Sequence, residues 1–222
     1  MEADTATGTA ASLHQRPFPA DSTPELWRLV PTAAAIVLGS RQTADALRPE
    51  VVRAAECEIA ERTSGGGAVV VDPGRTLWVD VFIPDGGSLW SGDIGATFLA
   101  VGERWQKTLG GLGLETELWS ARPDPATADM GAVACFAGVG WGELLLDGQK
   151  VVGFSQRRTR WGAKVQCLYD PTGRQRVLVD ALNVESTVRA RLGEIFLPTM
   201  SEMPAIDAVW AGLVAQFAAT ER

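Results

Sequence analysis

Two separated segments hold the residues of this chain best suited to group transfer: Arg62-Thr-Ser-Gly-Gly-Gly-Ala68 and, about eighty residues later, Gly148-Gln-Lys-Val-Val-Gly-Phe-Ser-Gln-Arg157. The three successive glycines, Gly65, Gly66 and Gly67, offer a backbone that a ligand approaches without meeting a Cβ. Lys150 offers a compact ammonium in a chain with only three lysines, Lys107, Lys150 and Lys164, against seventeen arginines. Backbone amides and a fixed cation stabilise negative charge developing on an oxygen, a contribution of about 2.7–4 kcal/mol per donor. Together the segments make a candidate acyl-transfer site. Taken singly, a triple glycine is a flexible turn and a lysine on a hairpin is a solvated side chain.

The rest of the inventory narrows the chemistry by elimination. The one histidine, His14, lies in an Ala/Thr/Ser/Pro-rich opening segment, residues 1–24, whose composition predicts poor order. A core without histidine disfavours Ser-His-Asp and Cys-His catalysis and imidazole-based zinc sites. Cys57, Cys135 and Cys167 are odd in number and lack CxxC spacing, so neither a disulfide framework nor a metal site is expected. A net charge of −7 argues against a nucleic-acid partner. No apolar run has the length of a membrane span, and the N-terminus lacks the basic start and apolar stretch of a secretory signal, so a cytoplasmic location is expected.

Periodicity predicts the elements that must position these residues. Leu26 to Val30, Ala33 to Gly39, Ala68 to Val71, Thr76 to Ile83, Thr116 to Trp119 and Glu143 to Asp147 read as strands, the third and fourth joined by a turn at Asp72-Pro73-Gly74. Gly148-Gln149 turns the chain into a strand over Lys150 to Gln156, Ala134-Cys135-Phe136 enters the preceding strand, and Cys167 falls in a further one. A short helix begins at Pro49 and should end near Ala60, carrying Cys57; a longer one carries Phe98, Val101, Trp105 and Leu109; a third carries Ile206, Val209, Trp210, Leu213, Val214 and Phe217. Arg122 to Met130 reads as a surface loop. Strands and helices interleaved with hairpins indicate an α+β domain with a mixed sheet flanked by helices, a single unit over residues 25–222. Arg157, Arg158, Arg160 and Lys164 form a basic cluster, read either as a solvated strand face or as a dock for a phosphate or an acidic acceptor domain.

The segments Arg62-Thr-Ser-Gly-Gly-Gly-Ala-Val69 and Asp147-Gly-Gln-Lys-Val-Val-Gly-Phe-Ser-Gln-Arg-Arg158, with the upstream Val37-Leu-Gly-Ser-Arg-Gln42, resemble in order and separation three motifs of the lipoate-protein ligase and octanoyltransferase family, a relative of the biotin ligases. The resemblance covers residues 26 to 218. It implies a catalytic domain of the biotin/lipoate protein ligase type that attaches a lipoyl or octanoyl group to a lysine of a carrier domain. The acceptor would be the lipoyl domain of a 2-oxoacid dehydrogenase or a glycine-cleavage protein. On that resemblance Lys150 contacts the reacting carbonyl and phosphate, and Arg62, Ser64, Gly65, Gly66, Gly67, Ala68, Gly153 and Ser155 border the acyl or adenylate pocket, with ATP and Mg as co-reactants in the ligase route. Ala134-Cys135-Phe136 resembles the cysteine loop of a branch that passes the acyl group through a thioester without ATP, a role that a neighbouring ammonium would favour by stabilising the thiolate. The chain departs from the family at two histidine positions, Val71 and the Val165-Gln166-Cys167 stretch, which leaves open a non-catalytic acyl-binding protein. The small C-terminal domain of many ATP-using members is not evident, so a separate accessory domain is a further expected partner.

Overall fold

The computed structural model describes residues 1–19, 23–123, 125–196 and 202–219. In chain order the elements are β1 (Glu2–Gly8), α1 (Ala10–His14), β2 (Glu25–Pro31), β3 (Ala35–Leu38), α2 (Pro49–Ala54), β4 (Glu58–Glu61), β5 (Val69–Val71) and β6 (Leu77–Pro84), then α3 (Ile94–Gly111), β7 (Glu117–Leu118), α4 (Ala128–Val133), β8 (Leu144–Leu146), β9 (Gln149–Thr159), β10 (Gly162–Tyr169), α5 (Val177–Ala181), α6 (Ser186–Ile195) and α7 (Ile206–Ala218). Seven strands form a mixed sheet in the order β1-β2-β6-β10-β9-β8-β7, and three form a second, β4-β3-β5.

The large sheet is covered on both faces. Leu26, Val79, Val81 and Val165 pack on Val101, Trp105 and Leu109 of α3 and Val209, Leu213 and Phe217 of α7. Leu29, Trp78 and Leu168 belong to a second core with the small sheet and helices α2, α5 and α6. This double cover explains a difference from the sequence pattern. The alternation in Thr76 to Ile83 predicts one buried face, but all eight residues of β6 are buried, as in sheets enclosed by two layers. Similarly, the turn after Asp72 does not join a hairpin. It carries the chain from β5, paired with β3, to β6, paired with β2 and β10.

Several expected elements are corrected. The helix from Pro49 stops at Ala54 because Glu56 takes a left-handed conformation (φ 52°), and Glu58–Glu61 then pairs in parallel with β3. Cys57 therefore precedes a strand rather than lying on a helix. Ala134-Cys135-Phe136 is not a strand entry: Cys135–Ala137 is a single 3₁₀ turn after α4, and α4 itself begins at Ala128, within the expected Arg122 to Met130 loop.

The largest correction concerns the opening segment, of which residues 20–22 lie outside the described residues. Expected to be poorly ordered, it instead supplies β1, which pairs in parallel with β2 from Glu2↔Glu25 to Gly8↔Pro31, and α1, capped by the Thr9 hydroxyl, which accepts from the Ser12 N–H. Its small and polar side chains suggested disorder because an edge strand needs backbone pairing more than apolar bulk. Ala10 and Leu13 are buried in the core, and Arg16 stacks 3.7 Å over Trp27. Among the described residues no helix is long and apolar enough to cross a membrane.

Leu13 is only 3% exposed. Leu13→Ala should therefore cost about 2–5 kcal/mol by the ordinary penalty for emptying a core site, measured by urea unfolding, whereas a substitution in a disordered tail would leave the unfolding midpoint unchanged.

Candidate active site

The glycine segment leaves β4 and is held by the residue that opens it. Arg62 is 4% exposed, and its guanidinium donates to the carbonyls of Gly65 (2.9 Å) and Gly67 (2.7 Å). The backbone of the loop pairs on its other side with the segment after α4: Gly67 N–H donates to Gly131 O, Ala68 N–H to Val133 O, and Cys135 N–H to Ala68 O, each at 3.0 Å. The glycines are required by these close approaches. A Cβ at Gly67 would stand 2.5 Å from Ala134 N, one at Gly39 would stand 1.8 Å from Gly66 O, and Gly66 has φ +97°. Gly65 faces open space, so its backbone is the part of the loop that an incoming group can approach. The Val37 to Gln42 segment joins the same assembly, because Gln42 Nε2 donates to Val133 O and its Oε1 accepts from Gly39 N–H.

Lys150 sits one residue into β9, after a tight turn whose Asp147 and Gly148 both have positive φ (51° and 76°). Its ammonium is buried, not solvated. It donates to Glu143 Oε2 and to Cys135 O, each at 2.7 Å. Glu143 in turn accepts the Gly140 and Phe154 amides. Lys150 thus reaches the glycine loop through one intermediate segment, via the Cys135 backbone to Ala68. Its contact with Cys135 is a hydrogen bond to the backbone carbonyl rather than to the thiol. A cation near the Cys135 sulfur is Arg62, both lying within 4 Å of the position that a Cβ at Gly66 would take; burial lowers the Arg62 pKa.

A cavity of about 40 Å³ opens between the two sheets. Arg62, Cys135, Gly153 and Ser155 line it, as does His14, which the sequence placed in a disordered tail. Lys150 and the three glycines stand outside its wall. A chain of buried polar groups runs along one side of the cavity, with Ser155, Gln166, His14 and Trp78 in its lining and Ser64 and Asp80 behind them. The Ser64 hydroxyl bonds to Ser155 Oγ and Gln166 Oε1 (both 3.2 Å), Gln166 Nε2 to His14 Nδ1 (3.2 Å) and Asp80 Oδ1 (3.4 Å), and Trp78 Nε1 donates to Asp80 Oδ1. The β9–β10 register sets Ser155 opposite Gln166, and the β6–β10 register sets Gln166 opposite Asp80. Lys164 Nζ lies 3.9 Å from Asp80 and donates to Arg16 O.

Three participants escaped the sequence reading. Asp80 had a signal, a lone carboxylate inside an apolar strand. Glu143 and His14 had none, since their partners are set by tertiary placement. The basic cluster does not form one surface. Arg157 donates to Thr63 beside the glycine loop, Arg158 caps carbonyls of Ser91, Gly92 and Asp93 beneath Trp90, and Lys164 is buried.

Comparison with known proteins agrees with this geometry. Solved structures with the same fold include a protein from T. acidophilum with bound lipoic acid (18% identity, TM-score 0.69, covering 100% of this chain and 86% of that one). They also include a bipartite lipoate protein ligase of Thermoplasma acidophilum with its E2 lipoyl domain (18%, 0.72, 99% and 83%) and a lipoate-protein ligase A bound with ATP (20%, 0.67, 100% and 86%). No curated protein matches the sequence. The fold is that of a lipoate-protein ligase catalytic domain, mixed α+β with helices flanking a mixed sheet. The description "Lipoyl protein ligase A/B catalytic domain" matches residues 10–207, and the chain belongs to that family.

Two predictions follow from the buried charges. Lys150→Ala leaves Glu143 as an unpaired buried carboxylate and should cost about 3–5 kcal/mol, read by denaturant unfolding; the double variant Lys150→Met, Glu143→Gln should recover most of that loss. The second concerns pH. Burial first, then the Arg62 and Lys164 charges, lowers the His14 pKa from 6.5 to about 3, so its contribution is present above pH 6.5 and is lost as pH falls toward 3. Burial raises the Asp80 pKa from 3.8 to about 6, so its contribution has the opposite sign, present below 3.8 and lost as pH rises through 6. His14→Phe should leave only the Asp80 slope: between pH 4 and 6, stability that rises or stays level in the wild type should fall with pH in the variant.

Proposed function

We propose that this chain attaches a lipoyl or octanoyl group to a lysine of a lipoyl carrier domain, activating the acid first as an acyl-adenylate by attack of its carboxylate on the α-phosphorus of ATP with release of pyrophosphate. The observation that carries the reading is the glycine loop, held by Arg62 and hydrogen-bonded through its backbone to the Gly131–Cys135 segment, whose Cys135 carbonyl in turn accepts from Lys150, at the edge of an inter-sheet cavity. Membership of the lipoyl protein ligase A/B family supports it, as do neighbouring folds that hold lipoic acid, ATP or an E2 lipoyl domain.

The residues divide the work as follows. The acyl chain enters between the sheets against Trp78 and Phe154, and because the cavity holds only a few waters at its present size, wall side chains move to admit it. Lys150 has three N–H donors and spends two on Glu143 and Cys135 O; the third meets an acyl or phosphate oxygen once the Phe136 wall beside the ammonium shifts to admit the ligand. Gly65 offers open backbone to the same group, and Arg157, exposed and bonded to Thr63, lies where a phosphate would meet it. Nucleotide phosphates would carry most of the coordination of any Mg ion, as is usual for that metal; among the described residues no three His, Cys, Asp or Glu side chains are grouped to hold one. The carrier lysine amine then attacks the acyl carbonyl, forming the amide and releasing the nucleotide.

A second reading rests on Cys135, which lines the cavity beside Arg62. There the Cys135 sulfur would attack a donor thioester, release the donor thiol, and hand the acyl group to the lysine, regenerating the cysteine.

Intact-mass analysis separates the two. Purified protein supplied with lipoate, ATP and a lipoyl domain should acylate the domain, and Cys135→Ser should do so at a rate within about threefold of wild type, since an adenylate is attacked by the lysine directly. Loading from octanoyl carrier protein without ATP, lost in Cys135→Ser together with a hydroxylamine-sensitive adduct, would overturn the adenylation route in favour of the thioester. Failure of both donors would overturn the transferase reading.

A further inference from the structure

We infer that His14 selects the acyl group, donating a hydrogen bond from Nε2 to an oxygen or sulfur acceptor on the buried part of the chain, so that the preferred ligand is an acceptor-bearing acyl group and not a plain hydrocarbon one. The inference rests on the reading of the inter-sheet cavity as the acyl site.

Four observations carry it. His14 forms part of the cavity wall, is more than nine-tenths buried, and its Nε2 has no hydrogen-bond partner among the described residues. Its tautomer is fixed by its neighbours. Gln166 Nε2 also reaches the Asp80 carboxylate, which only accepts, so that nitrogen is the amide donor; His14 Nδ1 accepts from it, and the imidazole proton is on Nε2. The ring packs on Trp78, with centroids 4.3 Å apart and planes tilted by 35°, which limits its rotation. At neutral pH the imidazole is uncharged, held so by burial and by the Arg62 and Lys164 charges, so it is a dipolar donor suited to a neutral acceptor. A buried N–H without a partner is unfavourable, and a ligand that supplies an acceptor removes that penalty while an alkyl chain does not.

The sheet register puts this donor away from the reacting end. Gln166, which holds His14, faces Ser155, while the Lys150 side chain lies against Gly153, an offset along β9 of roughly 7 Å at the usual rise of a strand, which an extended acyl chain can span. An acyl group with its carbonyl near Lys150 directs its other end toward His14. Lipoate, with ring sulfurs there, belongs to the class; octanoate does not.

Because His14 is the only histidine in the chain, untagged protein labelled with ¹⁵N-histidine gives one imidazole to observe. Lipoate, 7-oxo-octanoate and octanoate are titrated into it in turn. The Nε2–H resonance should shift with lipoate or the oxo acid far more than with octanoate, while Nδ1 remains an unprotonated acceptor. In calorimetry the better of the two should bind at least about tenfold more tightly than octanoate. His14→Phe, which keeps the stack on Trp78, should narrow that preference below about threefold, and His14→Gln, which keeps an N–H, should retain it. Equal binding of octanoate, an unmoved Nε2 signal in a ligand-saturated sample, or an undiminished preference in folded His14→Phe would overturn the inference while leaving the transferase reading intact. Absence of binding by all three acids, with no loading of a lipoyl domain, would overturn both.

Discussion

A buried guanidinium with no carboxylate partner among the described residues organises this molecule. Arg62 is desolvated at the end of β4, and its partners are backbone carbonyls: Gly65, Gly67 and, at the limit of hydrogen-bond length, Val37. A fixed planar fork suits this task, because one side chain can hold two carbonyls of a loop and a third of the adjoining strand in a single geometry. The consequence is a glycine loop whose carbonyls turn inward to Arg62, leaving the backbone at Gly65 open. With the loop fixed, the Gly131–Cys135 segment docks on it, and the wall that carries Cys135 and Phe136 takes its place. Replacing the arginine by lysine would keep the charge but lose the fork.

Two further charge arrangements are built on that frame, and they differ in kind. Lys150 and Glu143 form a paired, well-bonded ion couple that ties the β8–β9 hairpin to the Cys135 turn. Its cost of desolvation is offset by the Gly140 and Phe154 amides and the Cys135 carbonyl. The Ser64–Gln166–His14–Asp80 chain is less complete. His14 Nε2 and Asp80 Oδ2 are buried without hydrogen-bond partners, although Lys164 approaches the carboxylate. Among the buried side-chain polar atoms without a partner among the described residues, His14 Nε2 belongs to a residue of the cavity wall, where a ligand can supply the missing acceptor.

What the sequence revealed was local. The Arg62–Ala68 run and the Asp147-Gly148 turn into Lys150 carry their geometry in their own residue types, and the apolar stripes of α3 and α7 announce the faces they bury. What it hid depends on long-range pairing. The Ala- and Thr-rich N-terminus looks disordered because its order comes from β2, over twenty residues away in register, and from two buried side chains in α1. Losing that strand to composition also lost His14, and with it the histidine that the site contains. Similarly, Lys150 stood out as a candidate from its motif but not as half of a buried pair, since Glu143 is joined to it only by the hairpin register. The basic residues of β9 and β10 look like one patch in sequence, yet alternation along the strands and the burial of Lys164 disperse them.

The position of a bound acyl ligand tests the inter-sheet site most directly. A crystal structure of the full chain with lipoate or its adenylate should show the chain between the sheets against Trp78 and Phe154, with its carbonyl within hydrogen-bond distance of Lys150 Nζ or the Gly65 backbone and the Arg62 clamp unbroken. Density for the ligand in another groove, such as the polar one beside Asp72 and Arg174, with the inter-sheet cavity unchanged, would contradict it.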